Sequence, residues 1–266
     1  MCGIVGGIAQ RNIVPILLEG LKRLEYRGYD SAGLAVINDQ TIYRQRELGK
    51  VKGLEELLQA DPITGNIGIA HTRWATHGKP STANAHPHVC RNKVAVVHNG
   101  IIENHEKLRG TLIENGYEFT SETDTEVIVH EICQAMETAN GLLHAVKLTI
   151  KKLEGAYALG IISTLEPNTL VACRKGSPLV IGVGIGEYFV ASDVAALLPV
   201  TQRFIFLEDG DIALITINEL VIYDVEDNVV SRPIKESQLT ADSVDKGDYR
   251  QYMLKEIYEQ PYAISQ

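Results

Sequence analysis

Cysteine is scarce in this sequence, with four residues among 266, at positions 2, 90, 133 and 173. No two of them form a Cys-x-x-Cys pair, and their scattered spacing does not suggest a disulfide framework. This usage indicates reduced thiols in a cytosol-like compartment, so we expect a cytoplasmic protein.

Long hydrophobic runs are also missing. No apolar run is long enough to span a membrane, and no basic segment followed by a long apolar stretch opens the chain. The sequence therefore predicts neither a membrane protein nor a signal peptide. The net charge is -9 without a basic patch, which argues against nucleic acid or an anionic membrane as a partner.

Strand and helix patterns alternate in the first half of the chain, and short β segments dominate the second half. Strands are predicted at residues 4–9, 67–70 and 94–97, with a hairpin turning at Asn38-Asp39. Between about 156 and 224 nearly every segment is a short strand bounded by Gly, Pro or Asp. We predict an α+β sandwich, in which two antiparallel sheets pack together with helices outside.

Helix signals lie between these strands. Pro15 is placed to open the first helix, and Asn104 can cap another. The predicted helices run from Pro15 to near Gly28, over 53–59, from Asn104 to about Asn115, from just after Asp124, and over 142–153.

The composition changes near Ser231, where the chain becomes polar and charged. We predict one domain over residues 1–236. Residues 237–266 are expected to be a linker and the first helix of a domain that this chain does not include. An ordinary C-terminal tail is the alternative.

Cys2 is the most informative single residue. Removal of Met1 would place a thiol and a free α-amino group on the same residue, and an N-terminal amine can serve as base for its own side chain. Reference pKa values of about 8 for the amine and about 8.5 for the thiol suit proton transfer between them. The alternative is that position 2 has no role beyond lying near the end of the chain.

Polar clusters at 71–78 and 98–100 follow two of the apolar strands. In the second cluster, the Asn99 amide and the Gly100 backbone N–H can together donate to an oxyanion beside a thiolate. A simple Asn-Gly turn is the alternative.

Two charged residues are candidates for binding a zwitterion. Arg73 can pair bidentately with a carboxylate, although an isolated arginine more commonly forms a surface salt bridge. Asp124 can bind an ammonium group or cap the helix that follows it. Both alternatives stay open at this point.

No metal or cofactor is expected. The pair His86 and His88 has no Cys or carboxylate at a usual ligand spacing. The glycines of 182–186 resemble a fragment of a dinucleotide loop, but a strand rather than a helix follows them. A tight hairpin is the better interpretation.

Taken together, five motifs resemble the glutaminase domain of the glucosamine-6-phosphate synthase family, which are class II glutamine amidotransferases of the N-terminal nucleophile type. The tail at 245–247 and 253–261 resembles the linker into that family's sugar-phosphate isomerase domain, which is absent here. The motifs are Cys2-Gly3-Ile4-Val5-Gly6, Arg23-Leu24-Glu25-Tyr26-Arg27-Gly28-Tyr29-Asp30-Ser31-Ala32-Gly33, His71-Thr72-Arg73-Trp74-Ala75-Thr76-His77-Gly78, His98-Asn99-Gly100-Ile101-Ile102-Glu103-Asn104 and Ser121-Glu122-Thr123-Asp124-Thr125-Glu126.

The resemblance implies a four-layer αββα fold and a role for each matching position. Cys2 would be the nucleophile with its own amine as base, and Asn99 with Gly100 would form the oxyanion hole. The remaining implied roles are as follows: Arg73, Thr76 and His77 hold the glutamine α-carboxylate, Asp124 holds the α-ammonium, Trp74 lies near the exit of ammonia, and Arg27 orders the N-terminal region.

The resemblance also implies partners. L-Glutamine would be the substrate, and fructose 6-phosphate would be aminated only through the isomerase domain, in a full-length protein that is a homo-oligomer. Two alternatives remain open: the glutaminase domain of another class II amidotransferase, and a non-catalytic domain that senses glutamine.

Overall fold

The computed structural model describes residues 2–75, 78–239 and 258. Within these residues there are five α-helices: α1 Val14–Leu24, α2 Val51–Ala60, α3 His105–Glu114, α4 Thr125–Ala135 and α5 Leu142–Ile150. The strands of the same residues are β1 Gly3–Ile8, β2 Ser31–Asn38, β3 Thr41–Leu48, β4 Ile67–Arg73, β5 His88–Cys90, β6 Val94–Ile102, β7 Gly155–Ser163, β8 Glu166–Lys175, β9 Val180–Val183, β10 Tyr188–Ala191, β11 Arg203–Phe206, β12 Ile212–Ile215, β13 Leu220–Tyr223, β14 Val229–Val230 and β15 Ile234–Glu236.

The strands form two sheets. The eight-stranded sheet has the order β15-β11-β9-β10-β1-β4-β2-β3, and the seven-stranded sheet has the order β14-β13-β12-β8-β7-β6-β5. Each pair of neighbouring strands in the described residues is antiparallel. The predicted sandwich of two antiparallel sheets is therefore confirmed.

Residue alternation along the strands produces the layers, because successive side chains point to opposite faces of a sheet. In β6, Ala95 and Val97 belong to the apolar cluster between the two sheets, whereas Val94 and Val96 pack toward the helices. In β4, Ile69 faces the other sheet and Ala70 faces the helices. The inter-sheet layer is therefore a continuous apolar core, and both faces of these strands are buried.

Helices cover the outer face of each sheet. The apolar stripe of α1, which includes Leu17 and Leu21, is buried with Leu54 of α2 against the eight-stranded sheet. Val127 and Ile132 of α4 pack with Val146 of α5 on the seven-stranded sheet. This arrangement gives the four layers αββα. In the described part of the chain, no helix has the length and apolar character needed to cross a membrane.

The second polar cluster lies inside a strand rather than after one. β6 continues to Ile102, and Asn99 and Gly100 pair with Ala158 and Tyr157 of β7. The alternative of a simple Asn-Gly turn is therefore wrong. Gly100 has φ +131°, and a Cβ there would lie 2.0 Å from the Ala156 carbonyl oxygen, so only glycine fits at this position.

The predicted cap at Asn104 is also wrong in its chemistry. Asn104 stands at the N-cap position of α3, but its side chain makes no cap hydrogen bond. Its amide instead donates to the Lys152 carbonyl at 2.8 Å and accepts from the Glu154 N–H at 3.2 Å. A contact distant in sequence has replaced the local one.

The C-terminal boundary is described only in part. β15 pairs with β11, which joins residues 234–236 to the eight-stranded sheet. Residues 240–257 and 259–266 lie outside the described residues, so the linker and helix expected there stay a prediction.

Candidate functional site

Several of the candidate side chains lie at one end of the inter-sheet layer because of strand alternation. Arg73 of β4 has the same parity as Ile69, and Asn99 of β6 has the same parity as Val97, so both extend the faces that look across the sandwich. Cys2 continues the alternation of Ile4 in β1. The apolar core thus ends in a polar cluster.

The Cys2 thiol is held by the backbone of the segment after β4. The Trp74 N–H donates to Cys2 Sγ at 3.2 Å, and the thiol is 3.5 Å from the Trp74 carbonyl oxygen. Burial raises the pKa of the Cys2 thiol, although the Trp74 N–H and the charge of Arg73 oppose this effect. The thiol is therefore protonated near neutral pH and needs a base to become a strong nucleophile.

Asn99 faces Cys2 from the opposite sheet. Its Nδ2 donates to the Cys2 carbonyl oxygen at 3.1 Å, and its Oδ1 is 2.9 Å from His71 Nε2. Gly100, the next residue, is exposed and lines the same cavity. A side-chain amide and a backbone N–H next to a thiol are donors suited to a developing oxyanion.

Arg73 is not a surface residue, since its exposed fraction is 4 %. Its guanidinium forms an ion pair with the Asp30 carboxylate at 3.6 Å and donates to the Gly78 carbonyl at 3.2 Å. Asp30 also accepts from the Ala75 N–H, which ties the segment after β4 to the start of β2. The alternative of a surface salt bridge is wrong, because this cation is buried and lines the site.

Asp124 occupies the N-cap position of α4, but its side chain makes no cap hydrogen bond. Its Oδ2 accepts from the Ile102 N–H at 2.9 Å and lies 3.8 Å from His98 Nδ1. The preceding loop is held by Glu126, which accepts from the Ser121 N–H at 2.7 Å. The capping alternative is therefore wrong, and the carboxylate is fixed near the site.

Trp74 and Arg27 border the same space. The Trp74 side chain is 53 % exposed and lies against Gly28, where a Cβ would come within 2.4 Å of the indole ring. Gly28 also has φ +117°, a backbone conformation that favours glycine. Arg27 donates to the Ser192 carbonyl and pairs with Asp193 at 3.3 Å, and the Ser192 hydroxyl accepts from β1.

One cavity of about 260 Å³ collects these groups. Its size is just below the usual range of pockets for drug-sized molecules, which suits a ligand about as large as one amino acid. The predicted site residues that line it are Cys2, Arg27, Arg73, Trp74, Asn99, Gly100 and Asp124. Thr76 and His77, which were predicted on sequence grounds as well, lie outside the described residues.

The other histidines of the region contact one another and nearby hydroxyl groups. His86 stacks on His71 with ring centroids 4.1 Å apart, and His88 Nε2 is 3.0 Å from the Thr123 hydroxyl. In residues 2–75, 78–239 and 258 there is no group of three or more His, Cys, Asp or Glu side chains that could hold a metal ion.

Two residues of the site were not predicted from the sequence as site residues. His71 contacts Asn99 from the other sheet, and Asp30 holds both Arg73 and the segment that follows it. Both stand within the quoted motifs. The alternation of β4 could have placed His71 on the same face as Arg73, but not opposite Asn99.

Comparisons with known proteins agree with this geometry. A profile of the glutamine amidotransferase domain matches residues 71–199. The chain is 58 % identical over 265 residues to the glutamine–fructose-6-phosphate aminotransferase [isomerizing] of Shewanella oneidensis, covering 100 % of this chain and 44 % of the relative. The corresponding protein of Acinetobacter baylyi is 59 % identical over 266 residues, covering 100 % of this chain and 43 % of the relative.

A solved structure shares the fold. The glutamine phosphoribosylpyrophosphate amidotransferase from B. subtilis superimposes with a TM-score of 0.74 at 24 % identity, covering 86 % of this chain and 50 % of that protein. The chain spans less than half the length of the two aminotransferases above. The motifs, the αββα sandwich and the identity along the whole sequence agree, and the chain belongs to the class II glutamine amidotransferases.

Proposed function

We propose that this chain hydrolyses L-glutamine to glutamate and ammonia through a γ-glutamyl thioester on Cys2. The observation that carries the proposal is the convergence of a thiol, an amide donor, a buried cation and a buried carboxylate on one cavity. These groups are Cys2, Asn99, Arg73 and Asp124. A bystander cysteine would not need the other three around it.

Chemistry begins at the thiol. Once Met1 is removed, the α-amine of Cys2 takes the thiol proton, and Sγ attacks the carbonyl carbon of the glutamine side chain. The oxyanion that forms receives hydrogen bonds from Asn99 Nδ2 and the Gly100 N–H. The tetrahedral intermediate expels ammonia, which takes its proton from the Cys2 ammonium. Water then attacks the thioester and releases glutamate and the thiol.

Recognition rests on the zwitterion of the substrate. Arg73 pairs with the α-carboxylate, assisted by Thr76 and His77, and Asp124 accepts from the α-ammonium. Because the cation and the carboxylate are buried, pairing with the ligand is little screened by solvent. Trp74 borders the path by which ammonia leaves, and Arg27 holds the N-terminal strand through Ser192.

The wider role follows the names of the aminotransferases reported above. We propose that the ammonia serves to convert fructose 6-phosphate to glucosamine 6-phosphate in a cytoplasmic, homo-oligomeric, full-length protein, and that residues 237–266 lead into the isomerase domain.

The direct test of the proposed glutamine hydrolysis is release of glutamate from L-glutamine, with L-asparagine as a shorter control substrate. Equal turnover of both amides, or of neither, would contradict the proposal.

Replacing the buried cation should affect substrate binding first. We expect Arg73→Ala to raise KM for glutamine by about 10²-fold, because the α-carboxylate of the bound glutamine would lose its positively charged partner. The change in kcat should be much smaller. Arg11→Ala is a matched control, since Arg11 is exposed and pairs with Glu187 away from the cavity. An unchanged KM in Arg73→Ala would remove Arg73 from the binding site.

The domain boundary has its own test. The purified 266-residue chain should hydrolyse glutamine but form no glucosamine 6-phosphate when fructose 6-phosphate is added. Mass spectrometry of the sugar phosphates gives the answer. Detection of the aminated sugar would show that sugar chemistry resides in residues 1–266 and that the boundary at 236 is wrong.

A further inference from the structure

His71 is buried between the two sheets and has no part in the reaction proposed above. It lies in β4, in register with Ile4 of β1 on one side and Gly33 of β2 on the other, and its exposed fraction is 1 %. Its Nε2 is 2.9 Å from Asn99 Oδ1 and 3.0 Å from the His98 carbonyl oxygen. A polar ring at this depth is expected to have a specific partner.

The orientation of the Asn99 amide follows from its neighbours. The Cys2 carbonyl oxygen, 3.1 Å from one amide atom, can only accept, so that atom is Nδ2. The amide atom that faces His71 is therefore Oδ1, which is an acceptor as well. His71 Nε2 thus has two acceptors in front of it, Oδ1 and the His98 carbonyl, and it must carry a proton.

The surroundings of the His71 imidazole keep it neutral and favour the tautomer with the proton on Nε2. Nδ1 is buried and has no hydrogen-bond partner among residues 2–75, 78–239 and 258, so a proton placed there would be unsatisfied. Burial lowers the pKa of His71 to about 3. His86 stacks on the ring with an interplanar angle of 23° and covers one of its faces.

We propose that His71 is a positioning residue for the oxyanion hole, and that its Nε2–H holds Asn99 Oδ1 so that one Nδ2 hydrogen points into the cavity. Nδ2 carries two hydrogens, and the Cys2 carbonyl takes one of them. The second is left for the oxyanion. Without the His71 donor, the amide could rotate and present its oxygen to the developing negative charge. This inference rests on the proposed function.

Two amide substitutions at position 71 separate positioning from simple packing. The Nε2 of Gln can reach the place of the imidazole Nε2, whereas the shorter Asn cannot. We expect His71→Asn to lower kcat by about 10²-fold with KM within about threefold, since removal of one oxyanion donor costs about 10²–10³-fold. His71→Gln should retain kcat within about fivefold. A mere cavity or polarity effect would make the two variants alike.

A double-mutant cycle connects the effect to Asn99. Asn99→Ala should lower kcat by about 10²–10³-fold, and His71→Asn added to it should lower kcat no further, because both changes remove one interaction. Alkylation of Cys2 by iodoacetamide should stay within about twofold in all variants. That displacement at a saturated carbon forms no oxyanion, so it also shows that the site is folded.

The outcomes distinguish this inference from the function on which it rests. Full activity of Asn99→Ala would contradict the proposed oxyanion hole, and the role of His71 with it. Loss in Asn99→Ala with wild-type kcat in His71→Asn would overturn only the role of His71. Equal loss in the Asn and Gln variants, or further loss in the double mutant, would also overturn it. Nitrogen NMR of labelled histidine should show the Nε2–H tautomer at position 71, and the Nδ1–H tautomer would contradict the proposal.

Discussion

Cys2→Ala is expected to lower glutamine hydrolysis by more than about 10⁴-fold, because no other described thiol lines the cavity and loss of a nucleophile costs this much or more in comparable enzymes. The melting temperature should change little, since within the part of the chain that the structure describes the Cys2 thiol forms hydrogen bonds with the Trp74 backbone alone. Release of glutamate by purified variant protein is the measurement.

Cys173→Ala is the matched control for that experiment. Cys173 is buried in β8 within the cluster between sheet and helices, and it does not line the cavity. We expect wild-type kcat and only a modest loss of stability. Turnover in Cys2→Ala above about 1 % of wild type would remove Cys2 from the mechanism.

Retention of Met1 is expected to have the next largest effect. Burial raises the pKa of the Cys2 thiol, so the thiol is protonated near pH 7 and depends on a base. With Met1 in place the amine of Cys2 is part of a peptide bond and cannot accept a proton. Since a positioned general base contributes about 10²–10⁴-fold, we expect kcat to fall by that factor.

The proposed base also determines how activity changes with pH. In the processed protein, activity should fall as pH decreases through the pKa of the amine, about 8 in the reference state, because the ammonium form cannot take the thiol proton. The Met1-containing protein should lack this limb, and alkylation of its Cys2 should require pH above the ordinary thiol value. Treatment with a methionine aminopeptidase should restore hydrolysis. Full activity with Met1 demonstrably present would contradict the N-terminal amine as base.

Much of the fold could be predicted because strands and helices have different periods. The apolar runs at 4–9, 67–70 and 94–97 correspond to β1, β4 and β6, and the strand-rich second half is confirmed. The strand ends were wrong, since β4 continues into its polar cluster as far as Arg73 and β6 continues through its own to Ile102. Polarity marked the edge of the apolar core at these points and not the end of hydrogen bonding.

Chemistry alone made Cys2, Arg73, Asn99 and Asp124 candidates, the resemblance supplied their roles, and the structure places all four around one cavity. The contacts that hold these residues in place could not be predicted from the sequence. Asp30 and His71 act on partners 43 and 28 positions away, and which strands face each other depends on how the sheets stack. Asn104 shows the same limit, because its amide donates to the distant Lys152 carbonyl and does not cap the adjacent helix.

The central position of β1 has a consequence for biosynthesis. β1 is hydrogen-bonded to β4 on one side and to β10, Tyr188–Ala191, on the other. The hydrogen bonds of β1 therefore cannot all form until about 190 residues have been made. At about 5–20 residues per second, this takes about 10–40 s. During that interval the first residues are open to the enzyme that removes methionine, and the thiol has no cavity around it. Removal of Met1 can therefore take place before the site is assembled, because β1 lacks one of its two neighbouring strands until β10 has been made.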